Sequence, residues 1–261
     1  MENKKQINDI TMHKGDCLEI MDRLIEQGII VDAIITDPPY GTTACKWDSV
    51  IDFDEMWLRL NKLIKPNGAI VLFGSEPFSS ALRMSNIKNF KYDWIWEKNI
   101  AGNFATANKQ PMKYHEILSV FYKKQCTYNK QLIERSESGK KRCKSPHNYN
   151  TNEINSDINN NLSRKTLGIV KYNPDLKNPS SILKFSKVKK TVHPTQKPVV
   201  LMEYLIKTYT NENELVLDFT MGSGTTGIAA KNLNRNFIGI ELDDKYFEIA
   251  KERIEKAGEI K

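Results

Sequence analysis

The 261-residue sequence predicts an α/β fold built on a largely parallel sheet. Three observations carry that expectation. Residues 31–73 and 214–257 alternate short apolar runs with segments of helical periodicity, the polar stretch 123–190 between them loses that rhythm, and one apolar run ends in a glycine-rich turn.

Val31-Asp32-Ala33-Ile34-Ile35-Thr36 reads as a buried strand that stops at two prolines. From Asp54 to Ile64, apolar Trp57, Leu60 and Ile64 recur at helical spacing, and Pro66-Asn67-Gly68 ends the helix before a strand from Ala69 to Phe73. Lys91–Trp96 and Glu116–Tyr122 are two further strands. A loop rather than a helix joins them, so an antiparallel partner is expected. In 123–190 asparagines crowd from Asn148 to Asn161, and their side chains compete with regular backbone pairing, so loops are expected there. After Thr191, Pro198 sits at a first helical position, and Met202, Leu205, Ile206 and Tyr209 carry a helix to about Thr210. Glu214–Phe219 and Phe237–Leu242 read as strands around a helix containing Ala229 and Ala230. Asp243 or Asp244 caps a last helix to about Ala257.

With 39% hydrophobic residues the chain can bury a core, and no stretch approaches the ~20 consecutive apolar residues of a membrane span. The opening MENKKQINDI is too polar for a secretory signal, so a soluble cytoplasmic protein is expected. Cys17, Cys45, Cys126 and Cys143 lie far apart without a CxxC pair, and reduced thiols are the default. Cys126, Cys143 and His147 could supply three metal ligands, but no clear fourth is nearby, and no metal is expected. The net charge of +7 is unevenly spread. Residues 122–190 carry sixteen Lys and Arg against five Asp and Glu, a local +11 in a chain whose remainder is −4. A basic middle in an acidic frame suits a polyanion such as nucleic acid, although a solvated lysine-rich loop gives the same count.

Gly222, Gly224 and Gly227 form G-x-G-x-x-G between a strand and a helix, and Glu241 ends the next strand. Glycines let the backbone approach a ligand and a carboxylate accepts bonds from ribose hydroxyls, so an adenosine-containing cofactor on a Rossmann-like sheet is implied. No Gly-Lys-Ser/Thr follows, which excludes a P-loop. NAD uses the same pattern, but Asp218 just before the glycines would repel a pyrophosphate and could meet the ammonium of a methionine moiety. The sign of charge favours S-adenosylmethionine.

Asp37-Pro38-Pro39-Tyr40 lies at the carboxyl end of a strand, where open α/β sheets bind ligands. A diproline fixes two φ angles and offers no amide hydrogens, so neighbouring carbonyls project as acceptors. If the Asp37 carboxylate and the Pro38 carbonyl accept the two hydrogens of an exocyclic amine, its nitrogen is held toward sp3 geometry with the lone pair aimed at a methyl donor. Tyr40 offers a face on which a base can stack. The alternative is an ordinary turn at a strand end.

This tetrad, the basic segment, His193-Pro194-Thr195-Gln196-Lys197-Pro198, and Asp218-Phe219-Thr220-Met221-Gly222-Ser223-Gly224-Thr225 together resemble the β class of amino-group DNA methyltransferases. The resemblance covers nearly all of the chain outside 123–190. It implies a circularly permuted catalytic domain, 1–122 with 191–261, carrying 123–190 as an inserted target recognition region. It further implies that Asp37, Pro38 and Tyr40 hold a flipped-out base, with Pro39 completing the catalytic tetrad. Asp218, Phe219, Gly222, Gly224 and Thr225 contact the cofactor and Glu241 binds its ribose. Asp16 and Cys17, in Gly15-Asp16-Cys17, lie near the adenine, although Asp16 reads equally as a turn residue. Lys197 lies near the methionine carboxylate. Double-stranded DNA is the implied substrate; a cognate restriction endonuclease is an expected partner, and the family often forms homodimers.

An aspartate in first position leans to adenine N6 within that family, with cytosine N4 the alternative. No cysteine follows a proline, so cytosine C5 chemistry is unsupported. A DNA-binding module without catalysis and a nicotinamide oxidoreductase are the remaining classes. Trp47 and the Gly41–Asp48 loop border the base or form plain surface.

Overall fold

The computed structural model describes residues 9–42, 48–144 and 173–258. The chain divides into two compact units, residues 1–129 with 180–261, and residues 130–179. In the first, eight strands form one sheet in the order β1 (Ile10–Lys14), β10 (Asn236–Glu241), β9 (Leu215–Asp218), β2 (Val31–Thr36), β3 (Ile64–Gly74), β5 (His115–Phe121), β4 (Phe90–Glu97) and β8 (Ile182–Lys184). The first five run parallel, and β5 is antiparallel to both β3 and β4.

Strand β2 is apolar along its length because both of its faces are covered. Ala33 and Ile35 pack toward α5 (Val199–Tyr209), α6 (Thr225–Asn232) and α7 (Asp244–Lys256). Ile34 faces the opposite layer with α1 (Cys17–Glu26), α2 (Phe53–Leu63) and α3 (Phe78–Ser85). The same alternation sends Val71 and Phe73 one way and Ile70 and Leu72 the other. Across the first layer, Trp94 Nε1 donates to the Tyr209 hydroxyl at 2.6 Å, and the Tyr92 hydroxyl lies 3.0 Å from the same oxygen.

The expected strands and helices appear within a few residues of their sequence boundaries, with Asp243 capping α7 by accepting from Tyr246 N at 3.0 Å. Pro198 is the N-cap of α5 rather than its first residue. The Pro66-Asn67-Gly68 turn is instead part of β3, whose register with β2 jumps from Val31↔Ile64 to Ala33↔Ala69. Gly68 permits this, since a Cβ there would lie 2.7 Å from the Asp32 carbonyl. Helices α1 and α3 and strand β8 have no counterpart in the sequence reading. For α1 the signal was present in the Asp16 cap and in Ile20, Met21 and Leu24 at helical spacing.

Part of 123–190 is regular, against the expectation of loops. β8 pairs with β4 in parallel, Cys126 is buried in the core, and Asn129 bonds to the end of α5. The 130–179 unit holds α4 (Glu137–Lys144) and an antiparallel pair, β6 (Ile133–Glu134) with β7 (Leu176–Lys177). The asparagine-rich tract, His147, Cys45 and Trp47 lie outside the described residues. Among the described residues no helix is long and apolar enough to cross a membrane.

Tyr209→Phe leaves the buried Trp94 N–H without its acceptor. The expected cost is about 1–3 kcal/mol of stability, read from the urea midpoint; an unchanged midpoint contradicts it.

Candidate active site

Because β1, β2, β9 and β10 are parallel, their carboxyl ends meet at one edge of the sheet, and a cavity of about 470 Å³ opens there. Its wall includes Asp37, Pro38, Pro39 and Tyr40 from the end of β2, together with Asp218, Phe219, Gly222 and Thr225 from the β9–α6 turn. Glu241 comes from β10, and Asp16 and Cys17 from the start of α1. Lys197 completes the set of expected residues that reach this space.

Gly224 does not line the cavity. It caps α6 with φ +76°, and a Cβ there would lie 2.9 Å from Ala250 Cβ and Ile254 Cδ1 of α7. Its lack of a side chain serves the turn and helix packing. Gly222, with φ +53°, does border the cavity, and its N–H donates to Glu241 Oε2 at 2.8 Å. Glu241 Oε1 accepts from Asp243 N at 2.8 Å, so each carboxylate oxygen holds one backbone bond and keeps a lone pair for a further donor. Burial raises the Glu241 pKa against these bonds.

Asp218 accepts three hydrogen bonds and keeps room for a further donor. Thr36 Oγ1 donates to one oxygen, Thr226 Oγ1 donates to the other at 2.5 Å, and Thr220 N lies 3.2 Å from the first. Burial pushes its pKa to about 6 despite these donors. Asp16 has its turn role: Oδ1 accepts from Leu18 N at 2.8 Å and Glu19 N at 3.2 Å, capping α1. Burial pushes the Cys17 thiol up to about 12, which keeps it protonated.

The tetrad is held by a chain of charges that the sequence did not reveal. Asp37 Oδ1 accepts from the Tyr40 hydroxyl, and Oδ2 accepts from Lys197 Nζ at 2.5 Å. Lys197 also lies 3.2 Å from Glu116 Oε2, and Lys98 donates to Glu116 Oε1 at 3.0 Å. The Lys197 ammonium, expected beside a methionine carboxylate, is thus engaged with Asp37 and Glu116. Burial raises the Asp37 pKa, with Glu116 adding to it and Lys197 opposing. Burial also acts on Lys197 and Glu116, but their mutual attraction and the other partners outweigh it: Lys197 is raised, Glu116 lowered, and both stay charged. Asp48 fixes the exit from the tetrad by accepting from the amides of Tyr40, Gly41 and Thr42 at 2.8–2.9 Å. Tyr40 packs on Phe78 with ring centroids 5.0 Å apart.

A DNA methylase family profile matches residues 31–252, from the strand before the tetrad to the last helix. The chain belongs to the DNA methylase family, whose members modify exocyclic N6 or N4 amino groups. The methylase is 28% identical to the Type II methyltransferase M2.LlaDCHI of Lactococcus lactis subsp. cremoris, over 95% of this chain and 90% of that one. It is 29% identical to M.HpaI of Haemophilus parainfluenzae over 86% and 68%. The crystal structure of the M1.HpyAVI–SAM complex is 32% identical, with a TM-score of 0.61 over 94% of this chain and 99% of that one. The cytosine-N4-specific PvuII DNA methyltransferase shares the fold at 18% identity and a TM-score of 0.60, over 94% and 86%.

In the methylase, His193 borders the cavity next to Gly222, with its ring 4.1 Å from that of Tyr246. Its Nδ1 accepts from Thr195 N at 3.2 Å. Burial and the Lys197 charge lower its pKa to about 4, against the pull of Asp243. The unfolded chain takes up this proton near 6.5, so stability is lost as pH falls from 6.5 toward 4. His193→Asn keeps an acceptor and removes the titration. Its urea midpoint is expected to fall less than that of the wild type between about pH 7 and about pH 4.5; equal falls refute the assignment.

Proposed function

We propose that the methylase transfers a methyl group from S-adenosylmethionine to adenine N6 in double-stranded DNA, by direct attack of an extruded base. The observation that carries this is Asp37 and Pro38 side by side in the cavity wall, a carboxylate next to a diproline that offers carbonyl acceptors and no amide hydrogen of its own. The residues present suit the cofactor. Glu241 keeps acceptor capacity for ribose hydroxyls, and Gly222 brings the backbone turn to the cavity. Phe219 and Thr225 form adjacent wall. Asp16 and Cys17 follow Gly15, whose N–H donates to the Glu241 carbonyl at 2.9 Å, and line the wall where the resemblance puts the adenine.

When bound, S-adenosylmethionine supplies an electrophilic methyl group. Asp37 and Pro38 accept the two amine hydrogens and hold the nitrogen lone pair toward it. Lys197 keeps the Asp37 carboxylate oriented and favours its charged form. As the nitrogen lone pair bonds to the methyl carbon, the carbon–sulfur bond would break with its electron pair leaving on the thioether sulfur, and the surplus amine proton would pass to an Asp37 oxygen, whose affinity for it burial has raised. Tyr40, steadied by Phe78 and by its bond to Asp37, presents a face to the base.

The basic 123–190 segment fits a target recognition region, and its +11 charge supports phosphate binding. Within this reading the protein serves a restriction–modification system beside a cognate endonuclease, and a homodimer is an expected assembly.

Incubating unmethylated DNA with labelled cofactor is expected to yield N6-methyladenine on nucleoside analysis. N4-methylcytosine in its place would overturn the choice of base, and no transfer would overturn the activity. Asp37→Ala should abolish transfer while S-adenosylhomocysteine still raises the thermal midpoint.

Deleting 130–179 is expected to remove duplex binding, which in the full chain weakens steeply with salt, and to leave cofactor binding in place. Loss of both refutes a separable recognition unit.

A further inference from the structure

The loop Lys98–Tyr114 joins β4 to β5. With Thr36 opposite Leu72, Gly74 opposite Ile117 and Glu97 opposite His115, it leaves the sheet at the same edge as Asp37. Its stems are rooted in the charge chain: Lys98 opens the loop, Glu116 follows its end, and Glu116 reaches Asp37 through Lys197. Lys113 Nζ donates to Ser75 Oγ just beyond β3.

The loop is clamped internally. Gly102 N donates to the Lys113 carbonyl at 3.0 Å, while the Asn103 side chain accepts from Lys113 N at 2.6 Å and donates to the Pro111 carbonyl at 2.9 Å. On this clamp stands a 3-10 turn, Phe104–Thr106, and Phe104 is 82% exposed, the most exposed large hydrophobic residue among those described. Residues 98–115 contain no Asp or Glu and three lysines, of which Lys98 is buried against Glu116 while Lys109 and Lys113 lie within the loop.

An exposed aromatic ring on a hydrogen-bonded loop, with Lys109 and Lys113 in the same loop and no carboxylate within it, suits a partner that is apolar inside and anionic outside. Duplex DNA has that make-up, and phosphate attraction with ring insertion between bases would satisfy both features. Extruding a base costs a few kcal/mol of stacking and pairing, and Asp37 and Pro38 can act only on a base that has left the stack. We infer that Phe104 enters the duplex beside the target nucleotide and stabilises the opened state, a role that rests on the DNA methylation reading. Phe104 is a positioning residue, since it touches neither the amine nor the methyl donor.

The test uses the full chain and a duplex carrying the site identified by sequencing methylated DNA. Phe104→Ala is expected to lower kcat/KM on the matched duplex about tenfold or more. On a duplex whose target base faces an abasic site, where no pairing opposes opening, it should act within about twofold of the wild type. With 2-aminopurine at the target position, fluorescence should rise on binding the wild type and rise less with the variant. Phe104→Leu should restore most of the rate. Unchanged matched-duplex kinetics, an equal loss on both duplexes, or a change confined to oligomeric state each overturns the role of Phe104 while leaving the methylation reading intact. A wild type that transfers nothing to DNA overturns both.

Discussion

Asp37 is a carboxylate withdrawn from water, and burial works to neutralise it. Its chemistry depends on remaining an acceptor, and the ammonium that favours this comes from Lys197, 160 residues away in sequence. Lys197 is itself buried and needs a second carboxylate, Glu116, which draws in Lys98. Removing any one member leaves an uncompensated buried charge, a loss of order 3–5 kcal/mol where such pairs are broken. The chain of four charges therefore fixes β2, the β4–β5 pair and the entry to α5 in one arrangement.

Strands β2, β9 and β10 were legible because burial on two faces writes a continuous apolar run, and the glycine turn because a strand, a positive φ and a helix must follow in order. β8 was not, since three residues cannot display a period. α3 shows only Phe78 and Leu82 as buried anchors of any size, too few to mark a face. At the site, Asp37, Tyr40 and Glu241 could be named from their place at strand ends. Glu116 could not: a glutamate in a strand looks like a solvent-facing residue until its long-range partners are known.

The glycine motif also shows how one pattern can serve two physical needs. Gly222 carries the backbone past the ligand cavity and ties it to Glu241, whereas Gly224 and Gly227 give way to α7. Had Gly227 a Cβ, it would sit 2.4 Å from Ile254 Cδ1. Asp218 follows the same logic. Its bonds to Thr36 and Thr226 make it a brace between β2 and α6 as well as part of the cavity wall.

Strand order has a consequence for biogenesis. β2 lies between β3 and β9, and β1 pairs with β10. As the chain emerges from the ribosome, β2 finds β3 within about forty residues, but its other edge stays unpaired until residues 215–218 have been made. A nascent chain thus carries an apolar, hydrogen-bond-hungry edge through most of its synthesis. Slow translation through 123–190 would lengthen that exposure, making chaperone supply a determinant of yield.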